Sequence, residues 1–445
     1  MLVGHFAYLR KERLVNQVSR ISNRYFSPLS CIKLVLLVFV FVCTQASTAA
    51  PKSVFAAGAP MFSQARVLQL SSGVVLRTEV LYTAVGPLLV NMLSVDLTNP
   101  DVHLEVVQSH NRLISTDETV ASMANRIGAL AGVNGDFFEI RARGRPIGME
   151  VINKALMQSP SIYAVFGVTQ SRRFSIAHQT LVATVTDGKA SYRLSSINHL
   201  VELGEGKLGL ITPAIGASVP VWGDVVVMLQ PIRGKPNQFD VRSVQPSGQI
   251  LPALSGQYAL VGRYAGGAWM MAHLHKGDRL SVNARISPDH HLIQALGGGP
   301  ILVKDGAFYY DYPSPLPGTL YFRKPLTAVG VTRDGKHALF VVFDGRSSGP
   351  LRSVGLTPVQ AAYFLMAHGA YQAMLFDGGG SSEMVARLPG HKSVSVVNFP
   401  SDGWERPVAN GLFVYTSTGQ FAVPHLIDLE TYSSWFNKLK QLNQY

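Results

Sequence analysis

Cysteine is almost absent from this chain of 445 residues. Both cysteines, Cys31 and Cys43, lie within the first 49 residues. If that segment is removed after synthesis, as its pattern predicts below, the remaining protein contains no thiol. Structural disulfides, cysteine nucleophiles and thiolate zinc sites are thereby excluded for the mature protein.

Charged side chains are also scarce, at 15% of the residues against 47% hydrophobic residues. This balance is typical of a globular protein with a large core and not of a disordered chain. The formal net charge is +12; the first 49 residues contribute six basic groups and one acidic group, so +7 remains beyond them. No run of lysine and arginine is interleaved with aromatic residues, so we expect no nucleic-acid partner.

Long apolar runs are missing except near the N-terminus, where Leu34–Val42 lies between a basic segment and small residues at 46–50. This order is typical of a signal peptide, and the run is too short to span a bilayer comfortably. We predict a signal peptide over residues 1–49 and a linker over 50–65. The protein is then exported, to the periplasm or the medium, with no stable membrane span after cleavage; a retained signal anchor is the alternative.

The remainder of the chain has the texture of β-structure. Short apolar or alternating runs are separated by Gly, Pro and Asp-Gly, which predicts that strands outnumber helices. The clearest runs are Val74–Val80, Val102–Val107, Leu181–Val185, Val225–Leu229 and Leu339–Phe343. Because strands and helices do not alternate regularly, we predict an α+β fold of strand-rich mixed sheets with a few packed helices, in a single large catalytic domain over residues 66–420.

Three segments have the features of helices. Ser115–Glu118 has the pattern of a capping box before a helix that closes at Gly128. Thr357–Gln360 is a second capping box, and its helix is expected to end at Gly369. Residues 421–445 carry an apolar stripe at helical spacing and are predicted to form a C-terminal helix.

Residues 377–382, Asp-Gly-Gly-Gly-Ser-Ser, are the strongest indication of function. They place a carboxylate at the end of the apolar run 373–376 and follow it with three glycines and two hydroxyls. Glycines let a ligand approach the backbone, and successive backbone N–H groups can bind an anion. Asp-Gly alone is a common turn signal, but a turn requires neither a third glycine nor a second serine. The sequence therefore predicts an active-site loop here.

A competing pattern occurs at residues 345–349, which have the spacing G-x-S-x-G of a serine hydrolase nucleophile elbow. Ser347 would be the nucleophile, and Asp377 and His391 follow in the order that such an enzyme uses. The elbow requires a helix directly after the serine, whereas Pro350 stands close behind it here. The serine hydrolase is therefore the less favoured alternative.

No cofactor is predicted from the sequence. His273 and His275, one residue apart in a segment that we take for a strand, are candidate metal ligands, but no acidic third ligand is placed near them. The metal requirement is therefore unknown, and a divalent cation facing a phosphate group stays a candidate.

Seven segments, taken in order, resemble the phosphodiester glycosidase family. They are Val133–Phe138, Pro146–Gly148, Gly297–Leu302 with Asp305–Gly306, Thr327–Gly330, Val342–Arg346, Gly369–Ala370 leading into 377–382, and Arg406–Asn410. The resemblance extends over roughly residues 80–416. Each segment alone is weak evidence for the family, and the occurrence of all seven in order makes the resemblance specific. The family includes bacterial exported proteins related to exopolysaccharides.

The resemblance implies hydrolysis of the sugar C1–O bond in a glycosyl-1-phosphodiester. Such a reaction passes through an oxocarbenium-like transition state, so the site needs a carboxylate near C1 and cations or N–H donors at the phosphate. Asp377 is the first candidate for the carboxylate, as base or nucleophile, with Asp136 and Asp344 as the other candidates. The expected substrate-binding residues are Asn134, Arg323, Arg346, Gly378, Gly379, Gly380, Ser381, Ser382, Arg406 and Asn410.

Further expectations concern neighbours of these residues. Arg346 and Arg406 are expected to bind the phosphate, because a guanidinium can contact two of its oxygens. Phe137 and Phe138 are expected to point to opposite faces, one as a wall for the sugar and one in the core. Glu150 and Glu383 are additional candidate acids.

Two positions depart from the family pattern. Members commonly have Arg-x-Pro-Arg-Thr-Ala, whereas residues 323–328 place Leu326 at the second arginine. Many relatives have glycine where this chain has Asp136. The expected partner is a sugar-phosphate-containing glycan or glycolipid, such as a polysaccharide or a cell-wall polymer. The missing guanidinium leaves open the alternative of a catalytically impaired protein that binds sugar phosphates or polysaccharide.

Overall fold

The computed structural model describes residues 60–140, 144–199, 206–288, 291–311, 320–346 and 352–417. The predicted signal peptide, residues 50–59 of the predicted linker, the predicted C-terminal helix and Ser347 lie outside the described residues. Among the helices of the described part, none has the length and apolar character that crossing a membrane requires.

β-Strand is the commonest secondary structure of the described chain. The strands, in chain order, are β1 (Pro60–Ser71), β2 (Val74–Thr83), β3 (Gly86–Asp96), β4 (Val102–Gln108), β5 (Ala131–Asn134), β6 (Glu150–Ile152), β7 (Ala155–Gln158), β8 (Ala164–Thr169), β9 (Phe174–His178), β10 (Thr180–Thr186), β11 (Ser191–Arg193), β12 (Ser196–Ile197), β13 (Leu208–Ile211), β14 (Val219–Pro220), β15 (Val225–Pro231), β16 (Gln238–Gln245), β17 (Ile250–Leu251), β18 (Tyr258–Gly262), β19 (Arg279–Ser287), β20 (Leu292–Gly298), β21 (Ile301–Lys304), β22 (Ala307–Phe308), β23 (Leu326–Val331), β24 (His337–Phe343), β25 (Gln372–Leu375), β26 (Met384–Ala386), β27 (Ser395–Val396) and β28 (Asn410–Thr416). All five runs predicted as strands lie within these elements. β1 begins inside the segment predicted as linker, because its backbone pairs with β2 from Pro60 onwards.

Helices are few in the described residues: α1 (Val120–Ile127), α2 (Tyr264–His273) and α3 (Pro358–Ala367), with short 3₁₀ turns at Ser109–Asn111, Pro213–Ile215 and Gly379–Ser381. The capping box of α3 is confirmed. The Thr357 hydroxyl accepts a hydrogen bond from the Gln360 N–H at 3.2 Å, and the Gln360 side chain accepts from the Thr357 N–H at 3.1 Å. The helix ends two residues before Gly369, with His368 as its C-cap.

The predicted start of α1 is wrong. Its N-cap is Thr119, whose hydroxyl accepts from the Ser122 N–H at 3.2 Å. Asp117, inside the predicted capping box, has a φ of +63° and so is outside the helical conformation. The end is as predicted, since Gly128 adopts the left-handed conformation that closes a helix.

Three sheets surround the largest core. Sheet A has the order β1-β2-β3-β24-β23-β25-β21-β22, sheet B the order β27-β26-β5-β28-β4, and sheet C the order β7-β6-β20-β8-β9. Their inner faces bury side chains such as Leu93, Phe166, Phe340 and Phe376 against one another. The outer face of sheet A is covered by α3 and the outer face of sheet B by α1. These layers confirm the α+β, strand-rich fold in a single domain.

A closed barrel is formed by residues 180–287. Its strands follow the order β11-β10-β19-β16-β15-β18-β13-β12. β11 leads directly into β12, and this segment joins the two edges of the sheet. The Leu194 N–H donates to the Ala183 carbonyl of β10, and the Ser195 N–H donates to the Leu208 carbonyl of β13. Side chains including Val185, Val227 and Leu260 fill its interior.

We expect Thr357→Ala to destabilise the protein by about 1 kcal/mol, because the first turn of α3 loses its capping acceptor. The midpoint of urea unfolding measures this change. Thr180→Ala, at an exposed strand end, is the matched control with a smaller expected effect. Equal effects of the two substitutions would contradict the assigned cap.

Candidate active site at the end of β25

A pocket of about 270 Å³ opens where β25, a central strand of sheet A, ends. Its lining residues are Phe137, Gly299, Pro300, Tyr310, Lys324, Leu326, Pro358, Leu375, Phe376, Asp377, Gly378 and Gly379. We call it the Asp377 pocket. The Asp377 N–H donates to the Gly135 carbonyl at 2.9 Å, so the loop after β25 is tied to the loop after β5.

Asp377 provides the one carboxylate among the lining residues that the structure describes. Its Oδ1 atom accepts from the Gly378 N–H at 2.9 Å, and the Ser381 hydroxyl also bonds to the carboxylate. Burial raises the pKa of Asp377, while these hydrogen bonds and the charges of Arg406 and Lys324 pull the pKa back down. The result is a carboxylate that is poorly hydrated yet held beside cations.

Lys324 is the cation of the pocket wall. Burial lowers the pKa of Lys324, the charge of Arg346 lowers it further, and the carboxylate of Asp377 raises it. Lys324 was not among the predicted substrate-binding residues; its place between Arg323 and Pro325 in the family motif was the available signal. The structure thus brings an ammonium group, a nearby guanidinium and the key carboxylate to one place.

The three predicted arginines differ in their surroundings. Arg346 is exposed and interacts electrostatically with Lys324. Arg323 donates to the Gly355 carbonyl at 2.8 Å. Arg406 is paired with Asp402, with a distance of 2.6 Å between Nη2 and Oδ2. None of the three is among the described residues that line the Asp377 pocket.

Arg406 is connected to the pocket through a hydroxyl. Its Nη1 atom donates to Ser381 Oγ at 3.3 Å, and Ser381 in turn bonds to the carboxylate of Asp377. Gly380 lies directly beneath the ion pair, because a Cβ atom there would come within 2.0 Å of Arg406. Ser381 and Gly380 therefore support Asp377 from behind, and both are buried.

Asn134 does not face the pocket as the sequence predicted. Its side chain is fully buried and contacts three separate segments. Its amide nitrogen donates to the Asp377 carbonyl at 2.8 Å, and its amide oxygen accepts from the Thr327 hydroxyl at 2.7 Å and from the Glu383 N–H at 3.1 Å. Asn134 is not among the described residues that line the pocket, so the geometry favours a positioning role for it over the predicted direct contact.

Asp136 and Asn410 are also buried below the pocket. Asn410 accepts from the Asp136 N–H at 2.9 Å and donates to Glu150 at 3.0 Å. The Asp136 carboxylate accepts from the Gly148 N–H and lies against the Cα atoms of Gly148 and Gly297, where any Cβ would come within 2.8 Å of it. Burial, above all, and the charges of Glu150 and Asp377 hold the pKa of Asp136 well above its usual range.

The Asp344 carboxylate is held by hydrogen bonds to other groups of the protein. Its two oxygens accept from the Asn398 side chain at 3.0 Å and the Phe399 N–H at 2.9 Å. Asn398 also donates to the Ser382 carbonyl at 3.1 Å. Both Asp344 and Ser382 are about 1% exposed. They fix the far side of the 377–382 loop, and neither is among the described residues lining the Asp377 pocket, which argues against the predicted direct roles.

The Asp377 pocket also has an aromatic and apolar part. Phe137 lines it and packs against Tyr163, with ring centroids 5.5 Å apart. Phe138 is buried in the core between α1 and sheet B, so the expected division between one wall residue and one core residue is confirmed. Leu326 adds a further apolar surface, with its Cδ2 atom 3.8 Å from the position of a Cβ on Gly378. Apolar side chains together with charged groups in one pocket suit a sugar that carries a phosphate.

His273 lies at the end of α2 and not on a strand, and its Nδ1 atom is 3.1 Å from Asp187 Oδ2. The helical periodicity of residues 264–273 was missed because their apolar residues do not form a single stripe. Among the described residues, no group of three or more histidine, cysteine, aspartate or glutamate side chains is arranged to hold a metal ion.

The fold and its pocket define a strand-rich α+β protein in which a carboxylate and a lysine share one cavity. Residues 232–415 match the model of the phosphodiester glycosidase family, so the resemblance that the motifs indicate is confirmed over that range. Lys324, Asp344, Asp377 and Arg406 lie inside the matched range, and Asp136 lies outside it. No curated protein matches the chain in sequence.

Solved structures share the fold at low identity. A hypothetical protein from Synechocystis is 19% identical over 79% of this chain, with a TM-score of 0.65; the chain covers 64% of that protein's length. A candidate exported protein from Burkholderia pseudomallei K96243 is 23% identical, with 74% of each chain covered and a TM-score of 0.58. The catalytic domain of zebrafish N-acetylglucosamine-1-phosphodiester alpha-N-acetylglucosaminidase, auto-inhibited by its pro-peptide, is 12% identical over 80% of this chain and 88% of its own, with a TM-score of 0.42. The first two likenesses show the fold alone, and the third is too weak for any conclusion.

Buried carboxyl groups surround the Asp377 pocket. Burial raises the pKa of Glu150 and of Asp344 to about 7 in each case. Burial and the charge of Glu405 raise the pKa of Glu383 to about 8. Between the normal pKa of a carboxyl group and these raised values, the folded protein binds more protons than the unfolded chain. Its stability therefore falls as the pH rises through this window.

We expect the free energy of unfolding to decrease between pH 5 and pH 8, by an amount on the order of 2 kcal/mol for Glu383 alone. Glu383→Gln removes this ionisation, so the variant should lose less stability over that range. Urea unfolding at several pH values measures the effect, with Asp305→Asn at an exposed turn as the control. A Glu383→Gln variant whose stability follows the wild-type pH dependence would contradict the assignment.

Proposed function

We propose that the protein is an exported hydrolase that cleaves the glycosidic bond of sugar-1-phosphodiesters in a polysaccharide, cell-wall polymer or glycolipid. The observation that carries the proposal is the presence of Asp377 and Lys324 in one small, partly aromatic pocket. The family match over residues 232–415 supports the reaction class. The predicted signal peptide and the fold shared with a candidate exported protein support export.

Asp377 is proposed to act at the anomeric carbon. The bond between C1 and the phosphate oxygen breaks, and its electron pair stays with the phosphate. Asp377 either takes a proton from the water that attacks C1, or attacks C1 itself to form a glycosyl ester that water then hydrolyses. Its raised pKa makes it a stronger base than a free aspartate. A phosphate monoester leaves with little need for protonation, so the site requires a strong anion-binding side more than a strong acid.

Lys324 and Arg346 are proposed to bind the leaving phosphate. Lys324 lines the pocket, and Arg346 lies close enough to shift the pKa of Lys324. The backbone N–H groups of Gly378 and Gly379 are already bonded to Asp377 Oδ1 and to the Pro325 carbonyl, so they would have to exchange these partners to bind the phosphate. Arg406, paired with Asp402, is proposed to hold Asp377 through Ser381 and not to bind phosphate directly. In this proposal Lys324 binds the phosphate in place of the arginine that the family pattern has at position 326.

We expect Asp377→Asn to lower kcat/KM by about three orders of magnitude or more, because the carboxylate that stabilises positive charge at C1 or activates water is lost. Release of sugar from a p-nitrophenyl-phospho-sugar measures the rate. Asp305→Asn is the matched control and should retain full activity, since Asp305 is exposed and asparagine tolerates its left-handed backbone.

Wild-type turnover by Asp377→Asn would refute the role of Asp377. If wild-type protein bound the substrate and left it intact, the chain would be the catalytically impaired binding protein. Loss of activity in Ser347→Ala together with full activity in Asp377→Asn would instead support the serine hydrolase.

We expect Lys324→Met to lower kcat/KM by about 100-fold through lost phosphate stabilisation. The substitution also removes a positive charge that lowers the pKa of Asp377, so the acid limb of the kcat/KM profile should move to higher pH. Lys276→Met, at an exposed loop position, is the control. An unshifted acid limb would show that Lys324 and Asp377 do not act together.

A further inference from the structure

A second polar pocket, of about 520 Å³, lies where residues 110–116 meet residues 216–218. We call it the Arg112 pocket. Its principal lining residues are His110, Arg112, Ser115, Thr116, Gly216 and Ser218. It shares no lining residue with the Asp377 pocket, and no acidic side chain is among its described lining residues. Arg112 is the permanent cation among these described residues, while the His110 ring is bonded to the Asp117 carbonyl at 3.2 Å and lies 4.0 Å from the Glu118 carboxylate.

The stem of Arg112 is held in place by Gly216. Gly216 has a φ of +71°, and a Cβ atom there would lie 2.9 Å from Arg112 Cβ and 3.0 Å from Cγ. The Arg112 side chain is exposed and has no hydrogen bond or ion pair with any residue of the described part of the chain. An arginine with a supported stem and an uncommitted guanidinium is prepared to bind an oxyanion.

The backbone beside Arg112 is held in an unfavourable conformation. His110 and Asn111 are consecutive non-glycine residues with φ values of +50° and +58°. Arg126 donates to the Asn111 side chain at 2.6 Å, and the Glu118 carboxylate accepts from the His110 N–H at 2.9 Å. Such conformations cost free energy and persist where the surroundings enforce them, often at binding sites. Here they bring the imidazole and the guanidinium to the same pocket.

The Arg112 pocket is attached to the segment that leads to the proposed active site. The Ser109 N–H donates to the Ala409 carbonyl at 2.8 Å, and the Glu118 N–H donates to the Val408 carbonyl at 3.2 Å. The same segment contains Arg406 and Asn410, which lie behind Asp377 and Asp136. The two pockets are therefore built on neighbouring residues of one stretch of chain.

We infer that the Arg112 pocket binds a second phosphate group of a carbohydrate polymer that carries a phosphate in each repeat. The assignment of this phosphate to the substrate rests on the proposed function; the phosphate affinity of the pocket does not. Arg112 provides charge and N–H donors in one plane, and the Thr116 hydroxyl provides a further donor. A polymer held at both pockets binds more tightly than a single phosphodiester held at one.

The first test is a titration of the full protein with inorganic phosphate, monitored by NMR of labelled histidine rings. His110→Gln assigns the His110 signals. We expect phosphate to shift them, and Arg112→Gln to weaken that binding about tenfold, as expected for the loss of a charge-assisted hydrogen bond. Arg285→Gln, an exposed arginine on β19, is the matched control and should leave the titration unchanged. Unchanged His110 signals in wild-type protein would overturn the phosphate site.

The second test compares a phosphodiester-linked polymer with a p-nitrophenyl-phospho-sugar as substrates. We expect Arg112→Gln to raise KM for the polymer about tenfold and to leave kcat/KM for the small substrate unchanged. An unchanged KM for the polymer, with phosphate still bound at His110, would overturn the assignment to the substrate and leave a site for free phosphate. Absence of hydrolysis by wild-type protein would refute the proposed function, while the phosphate titration would still decide whether the pocket is an anion site.

Discussion

The buried side chain of Asn134 is the interaction on which the site depends. Its single amide group is hydrogen-bonded to the Asp377 carbonyl after β25, to the hydroxyl of Thr327 on β23 and to the backbone N–H that leads into β26. Sheets A and B therefore meet at a point where their polar groups are already paired. A buried amide that lost one of these partners would leave an unsatisfied group at considerable cost, so the three segments hold one another in register.

Around this point the protein accepts several carboxyl groups in poorly hydrated positions. Asp136, Glu150, Asp344 and Glu383 are each almost completely buried, and their burial raises the pKa of every one. Asp377 differs because lysine and arginine charges offset part of its desolvation. An Asp-Gly pattern in the sequence does not by itself distinguish Asp377 from the other carboxyl groups. Its access to a cavity and its neighbouring cations do.

The sequence was sufficient for the fold class, the five strand runs and the capped helix α3, because each follows from local periodicity or from side chains within four residues. The loop at Asp377 was also found, since its glycines and hydroxyls exceed what a turn needs. The roles of Asn134, Asp344 and Asn410 were not predictable, because their hydrogen-bond partners lie far away in the chain. Lys324 could be named only as one of three cations, with Arg323 and Arg346, able to compensate for the arginine missing at position 326, because a lysine in an exposed loop and a lysine in a pocket wall have the same local sequence.

The closed barrel has an architectural consequence that reaches beyond the site. Thr180 and Ser287, at its two ends, are paired neighbours on β10 and β19, so the chain enters and leaves the barrel at positions roughly 5 Å apart. The flanking strands β9 and β20 both border β8 in sheet C. A module with adjacent ends can be inserted or exchanged without disturbing the host sheet. None of the described residues that line the Asp377 pocket belongs to the barrel, so changes inside the barrel need not alter that pocket.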